Sequence, residues 1–209
     1  MTGQHRMPQA ATDKYLEQRR EAIRAAAAVF AEKGFHGSST KDIAERMGIK
    51  QGSLYYYFKS KQEALGEVCL YGIEDYVQRM DTIAEGNQPF EAKLLATVVS
   101  HLSSYRERNE ALKVHNDERL YLPEEKRKKL KRLGSSYRQK LEGIFEEGVK
   151  SGAVRDPVDC HFAAQAVIGI CNAWGDIIVR DSSLDVFDIA QKCTDLLLHG
   201  FRERRSIKR

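Results

Sequence analysis

Between Tyr15 and His199 the chain meets only three prolines, Pro89, Pro123 and Pro157, and each stands where a helix would begin. Proline is tolerated in a first helical turn because the N–H it lacks has no helical partner there. Apolar residues recur at helical spacing along nearly the whole length, and sustained strand alternation occurs nowhere. The expected fold is therefore all-α, with about nine helices. Their expected spans are 14–33, 40–47, 51–57, 61–84, 90–108, 110–120, 124–150, 158–179 and 184–202. Gly34 and Gly48 stop the first two. Ser39 is the expected N-cap of the second, with Asp42 as its capping partner.

The segment STKDIAERMGIKQGSLYYYFKSKQEAL, residues 39–65, has the parts of a helix-turn-helix. Ile43, Ala44 and Met47 give the first helix of the pair an apolar side. Gly48 sits at the turn, where a positive φ costs least without a Cβ. Ile49, Leu54 and Phe58 fill the space between the helices. What is left outward is Gln51, Gly52, Ser53, Tyr55, Tyr56 and Tyr57. Consecutive helical side chains point about 100° apart, so the three tyrosines cannot all face one core. Glutamine can pair with adenine in a major groove, serine can reach a base edge or phosphate, and tyrosine offers a ring and a hydroxyl. Lys41, Lys50 and Lys61 are placed to neutralise phosphates on either side.

Charge supports this placement. Residues 1–61 carry 11 Lys and Arg against 6 Asp and Glu, and the rest of the chain carries 23 against 24. The whole positive excess lies at one end, as expected when a small head faces phosphate and a larger body does not. The expected division is 1–61 for the head, with the helix from Lys61 as connector, and 62–209 for a ligand-binding and dimerisation body.

With Phe30, Gly34, Thr40, Ile43, Ala44, Gly48, Leu54, Tyr55, Phe58, Lys61 and Leu65 in place, the first ~65 residues resemble the DNA-binding domain of the TetR family of bacterial transcriptional regulators. The resemblance implies an all-α homodimer, in most members a repressor released from DNA by a small molecule. It implies phosphate contacts from Thr40, Lys41 and Lys61. It implies contacts to bases or backbone from Gln51, Gly52, Ser53, Tyr55, Tyr56 and Tyr57. A dimer in turn implies an operator of two palindromic half-sites.

In the body, the 158–179 stretch is apolar nearly all round. Val167, Ile170, Trp174 and Ile178, with Leu196, Leu197 and Phe201, suggest a dimer interface built from two helices of each subunit. Tyr71, Leu95, Val99, Leu102, His115, Tyr137, Leu141, Phe145, Gln165, Gly169 and Asn172 are candidates to line an effector pocket. Gln165 and Asn172 are seven apart and share one helix face. The stretch HNDERLYLPEEKRKKL at 115–130, together with NAW at 172–174 and DLLLHGF at 195–201, resembles TetR-family regulators of fatty-acid or steroid catabolism. That resemblance implies an acyl-CoA effector, whose pyrophosphate Arg119, Arg127, Lys128, Lys131 and Arg138 are positioned to meet. Those relatives carry more aromatics after Trp174, where this chain has Gly175, Asp176 and Ile177.

Cys69, Cys160, Cys171 and Cys193 form no C-x-x-C pair and read as small buried hydrophobes of a reducing compartment. The N-terminus is polar, and no apolar run approaches the ~18 residues of a membrane span. A cytoplasmic protein is expected. No catalytic motif, phosphate-binding glycine loop or metal-ligand spacing is present, so neither enzyme activity, a cofactor nor a metal ion is expected. The competing readings are an effector-binding protein or enzyme with an incidental basic N-terminus, and a sequence-independent DNA-binding protein.

Overall fold

The computed structural model describes residues 9–200, and their side chains from residue 13 on. These residues form nine α-helices and no strand: α1 Gln9–Gly37, α2 Thr40–Arg46, α3 Gln51–Leu54, α4 Lys61–Glu85, α5 Phe90–Glu107, α6 Asn109–Glu118, α7 Glu124–Lys150, α8 Cys160–Arg180 and α9 Val186–His199. A 3-10 turn, Arg119–Tyr121, links α6 to α7. Pro89 is the N-cap of α5 and Pro123 directly precedes α7, as the sequence predicts. α8 instead starts three residues beyond Pro157, where the Asp159 side chain accepts from the Phe162 N–H at 2.9 Å.

The helices form two compact units that interleave along the chain. One holds residues 9–73 and Glu110–Leu130; the other holds Glu74–Asn109 and residues 131–200. This differs from the division expected at Lys61, because α6 and the start of α7 belong with the head. Lys113 Nζ donates to the Ala31 carbonyl at 2.9 Å. A Cβ on Gly72 would lie 2.9 Å from the Ala111 carbonyl oxygen, so α4 and α6 meet there backbone to backbone. Phe35 stacks on Tyr121 with ring centres 6.0 Å apart.

In the first unit Ile23, Ala26, Ala27 and Phe30 of α1 are buried with Ile43, Ala44, Leu54, Phe58, Leu65 and Val68. α1 contains a break at Gly34, whose φ of 72° ends the regular helix where the sequence predicts its end. The second unit has its core along α5, which packs against both α8 and α9. Leu94, Val98 and Leu102 meet Tyr137, Leu141, Ile144, Ala164, Val167, Cys171, Ile178 and Ile189 there. Lys93 is buried in this unit, its ammonium donating to the Ala84 carbonyl at 2.8 Å and to Glu147 at 2.9 Å.

α8 departs from one expectation. By length and hydropathy it is long and apolar enough to cross a membrane. Its apolar residues are divided between the unit's own core and an outward face that carries Phe162 and Ile177, which is why it reads as apolar all round.

Candidate nucleic-acid interface

α2 is fixed at its start by a complete capping box. The Ser39 hydroxyl accepts from the Asp42 N–H at 3.2 Å, and Asp42 Oδ2 accepts from the Ser39 N–H at 2.7 Å. Lys33 also donates to Asp42, and that bond, followed by those from Ser39, holds the carboxyl well below the usual carboxylate range. Gly48, at φ 66°, makes the turn, and the Ile49 N–H donates to the Ala44 carbonyl at 3.0 Å. Ile43, Ala44, Leu54 and Phe58 are buried between α2, α3 and α1. The head is thus held in one geometry by its own core, and the polar face of α3 is left over.

That face is shorter than the sequence suggests. α3 ends at Leu54, and residues 55–57 form a tightened turn in which Tyr56 N–H donates to Ser53 and Tyr57 N–H to Leu54. Gln51, Gly52 and Ser53 are exposed, Tyr55 is 54% exposed and Tyr56 is 65% exposed. Tyr57 is half-buried. The Gln51 amide donates to the Thr40 hydroxyl at 3.0 Å, which joins the start of α3 to the start of α2. Lys41 and Lys50 are exposed, with Glu45 3.6 Å from the Lys41 ammonium.

Two features of this surface were not legible from its own segment. Tyr15 of α1 packs edge-on against Tyr56 at 5.4 Å and stacks on Tyr57 at 6.4 Å, so the aromatic patch has a fourth member. Lys61, expected to reach a phosphate, is turned inward. Its ammonium donates to the carbonyls of Phe35 and Ser38, both at 2.7 Å, and sits 4.4 Å from the centre of the Phe35 ring. The carbonyls at the end of α1 and just after it lie beside the first turn of α4, where they have no helical N–H of their own to accept from, and a cation there serves as donor.

The residues predicted to line an effector pocket divide between the units. Tyr71 and His115 belong to the first, where His115 Nδ1 donates to the Cys69 carbonyl at 3.2 Å and burial lowers its pKa to about 4. In the second, Leu102, Tyr137, Leu141 and Phe145 are core. Leu95 and Val99 are half-buried, and Val99 lines an open groove of 480 Å³ with Arg79, Ile83, Ser100 and Glu107. Gln165, Gly169 and Asn172 lie on the exposed face of α8.

The structure brings Tyr137 and Asn172 together through a residue that no spacing or motif singles out. His101, 3% exposed, places Nδ1 at 3.0 Å from the Tyr137 hydroxyl and Nε2 at 3.1 Å from Asn172 Oδ1. The Tyr105 hydroxyl donates to the same Oδ1 at 3.2 Å. With that oxygen as the acceptor, His101 carries its proton on Nε2 and Nδ1 accepts from Tyr137. Tyr76 stacks on the imidazole at 4.7 Å. Burial lowers the His101 pKa to about 4, so the ring is neutral at pH 7, and burial likewise pushes the Tyr137 hydroxyl well above its ordinary value.

The predicted dimer residues also divide. Val167 and Ile178 are 1% and 0% exposed inside their own unit, so neither can meet a second chain; they point toward α5. Ile170, Trp174, Leu196 and Leu197 are half-buried, and Phe201 lies outside the described residues. The large apolar side chains that α8 and α9 present outward are Phe162, 72% exposed, with Ile177, Val179 and Phe187.

Comparison with known proteins agrees with this geometry. The family described as bacterial regulatory proteins, tetR family, matches residues 22–68, which cover the helix-turn-helix. The tetracyclin repressor-like C-terminal domain matches residues 87–201. The chain is 30% identical over 187 residues to the HTH-type transcriptional repressor KstR2 of Rhodococcus jostii, covering 87% of this chain and 90% of that one. It is 26% identical to the fatty acid metabolism regulator protein of Bacillus subtilis, covering 91% and 97%. Among solved structures, the TetR family transcriptional regulator PfmR from Thermus thermophilus superposes with a TM-score of 0.81 at 26% identity, over 87% of this chain and 99% of that one. The B. subtilis regulator FadR in complex with stearoyl-CoA gives 0.72 at 26% identity, over 88% and 99%. A three-helix head with its own buried core and an outward α3 face, joined to an α5-centred helical body and matched along both parts, places this chain in the TetR family of DNA-binding transcriptional regulators.

Proposed function

We propose that this chain is a cytoplasmic homodimeric repressor that an acyl-CoA thioester releases from its operator, and that it is not an enzyme. The observation that carries the reading is the exposed face formed by Gln51, Ser53, Tyr55 and Tyr56 on a rigidly capped head. A large exposed aromatic surface is costly unless something covers it, and base and sugar edges suit tyrosine. Thr40, Lys41, Lys50, Gln51, Gly52 and Ser53 contact the duplex with Tyr55, Tyr56 and Tyr57. The effector class is supported by relatives: one similar regulator is named for fatty acid metabolism, and its structure holds stearoyl-CoA. The effector meets the second unit near the His101, Tyr137 and Asn172 group, a hydrogen-bonded polar cluster set among the apolar core residues. Ile170, Trp174, Leu196 and Leu197 border the dimer face, whose outward side is Phe162 and Ile177.

Release requires that the acyl-CoA bind the DNA-free conformation more tightly than the DNA-bound one. The test begins with duplexes selected by the protein from a random pool. Fluorescence anisotropy then follows the best duplex while stearoyl-CoA, isovaleryl-CoA, CoA or stearate is added. Release by an acyl-CoA and not by CoA is expected. Equal binding of all duplexes at physiological salt would replace the regulator with a sequence-independent binder. Production of free CoA thiol from stearoyl-CoA would restore the enzyme reading.

A further inference from the structure

We infer that Lys61 is a positioning residue: it ties the first turn of α4 to the α1–α2 link and so sets where the DNA-contacting start of α2 lies, and it does not neutralise a phosphate itself. The inference rests on DNA binding by the family and not on the identity of the effector.

An ammonium has three hydrogens. At Lys61 two are given to the Phe35 and Ser38 carbonyls at 2.7 Å, and the Phe35 ring lies on a further side at 4.4 Å. Both bonds are charge-assisted and short, and the side chain is half-buried. Turning the ammonium out to a phosphate would leave the Phe35 carbonyl of α1 and the Ser38 carbonyl of the α1–α2 link without this donor and uncover the face of a buried ring. Exposed lysines nearby, Lys41 and Lys50, pay no such penalty.

The acceptors lie at a decisive place. Ser38 directly precedes Ser39, the N-cap of α2, and its own hydroxyl donates to the Phe35 carbonyl at 2.9 Å. Thr40 and Lys41 follow at once. Lys61 is the first residue of α4. One ammonium therefore makes a single piece of the α4 start, the end of α1 and the residues 38–41 that enter α2. A displacement of the first turn of α4 moves Ser38 with it, and Thr40 and Lys41 two and three residues later. Phe35 is also stacked against Tyr121 and buried, so the link has a fixed base.

A phosphate ligand and a strut differ in how their loss depends on salt. Log affinity falls linearly with log salt, and each phosphate ligand removed lowers the slope by ~0.9, or ~1.8 for a two-headed dimer. The experiment measures binding of the full-length wild type, Lys61→Met, Phe35→Leu and Lys41→Met to the selected duplex from 50 to 300 mM KCl. Deuterium uptake of residues 38–44 in the free proteins is followed in parallel. Lys41→Met is the reference for a lost phosphate contact, with a line that converges on wild type as salt rises. Lys61→Met is expected to give a parallel line displaced by about tenfold, the order of one charge-assisted hydrogen bond. It is also expected to raise deuterium uptake at 38–44, which Lys41→Met does not. Phe35→Leu leaves the lysine charge in place and is expected to give a smaller parallel displacement; it serves alone if Lys61→Met does not fold. A Lys61→Met line that converges like that of Lys41→Met, or a Phe35→Leu protein with wild-type affinity and wild-type uptake, would overturn the assignment.

Discussion

Replacing His101 with glutamine should remove about half of the acid sensitivity of this protein between pH 7 and pH 5.5. Burial lowers the pKa of His101 to about 4, against an ordinary value of 6.5, and does the same to His115. Above pH 6.5 both rings are neutral folded or unfolded, and neither contributes to the pH dependence. Below 6.5 the unfolded chain takes up a proton that the folded chain refuses, so the unfolded state gains and stability falls as pH falls. The loss continues until the folded rings protonate near pH 4. Each full unit in that window costs about 1.4 kcal/mol per ring. From pH 7 to 5.5 this comes to about 1 kcal/mol for each histidine and about 2 kcal/mol for the pair. Glutamine can donate to Asn172 and accept from Tyr137 without titrating, so its variant should keep the part due to His115 and lose the rest. Urea unfolding at fixed protein concentration, at both pH values, measures the difference. A His101→Gln protein that loses as much stability on acidification as wild type would show that His101 protonates in the folded state, and the neutral network would be wrong.

Three further outcomes follow from single contacts. Gly175→Ala would put a Cβ 2.4 Å from the Tyr105 ring, so thermal unfolding should show about 1–3 kcal/mol of destabilisation from overpacking of α8 on α5. Ser39→Ala removes the hydroxyl that caps α2 and should cost about 1 kcal/mol in the same assay, with operator binding weakened further because the start of α2 loosens. Tyr56→Ala leaves the core untouched and should reduce affinity for the selected duplex while the melting temperature stays within about 2 °C of wild type; a wild-type binding curve would remove Tyr56 from the interface.

The head was legible because its signals are local. The Ser39 cap and Asp42 lie three residues apart, Gly48 has the positive φ that its position requires, and Ile43, Leu54 and Phe58 recur at spacings that bury them together. Where the sequence was silent, the partner was far along the chain. Lys61 meets acceptors 26 and 23 residues upstream, and at a helix start a lysine reads the same whether it faces phosphate or carbonyl. His101 meets Tyr137 and Asn172 at separations of 36 and 71 residues. Nothing within a helical turn of His101 marks it as the centre of a network, since a single histidine on an apolar helix face carries no spacing signal.

α8 shows a different limit. A helix that is apolar on all sides does not say which side belongs to its own chain, so Val167 and Ile178 looked as available to a partner as Ile170 and Trp174. The deciding feature is Gly175, which lets the Tyr105 ring lie against the α8 backbone. Ala164, Val167, Cys171 and Ile178 are buried on the same side of the helix as that contact, and all are core. The opposite face then carries Phe162, Gly169, Ala173 and Ile177, a mixture of large and small residues at helical spacing that a second α8 can interdigitate with. The same rotation explains Asn172. It stands at the edge of the exposed face, with its side-chain oxygen held by His101 and Tyr105. A glycine that seemed to be a missing aromatic in the sequence is thus what fixes the rotation of α8, and with it which residues are left for a partner.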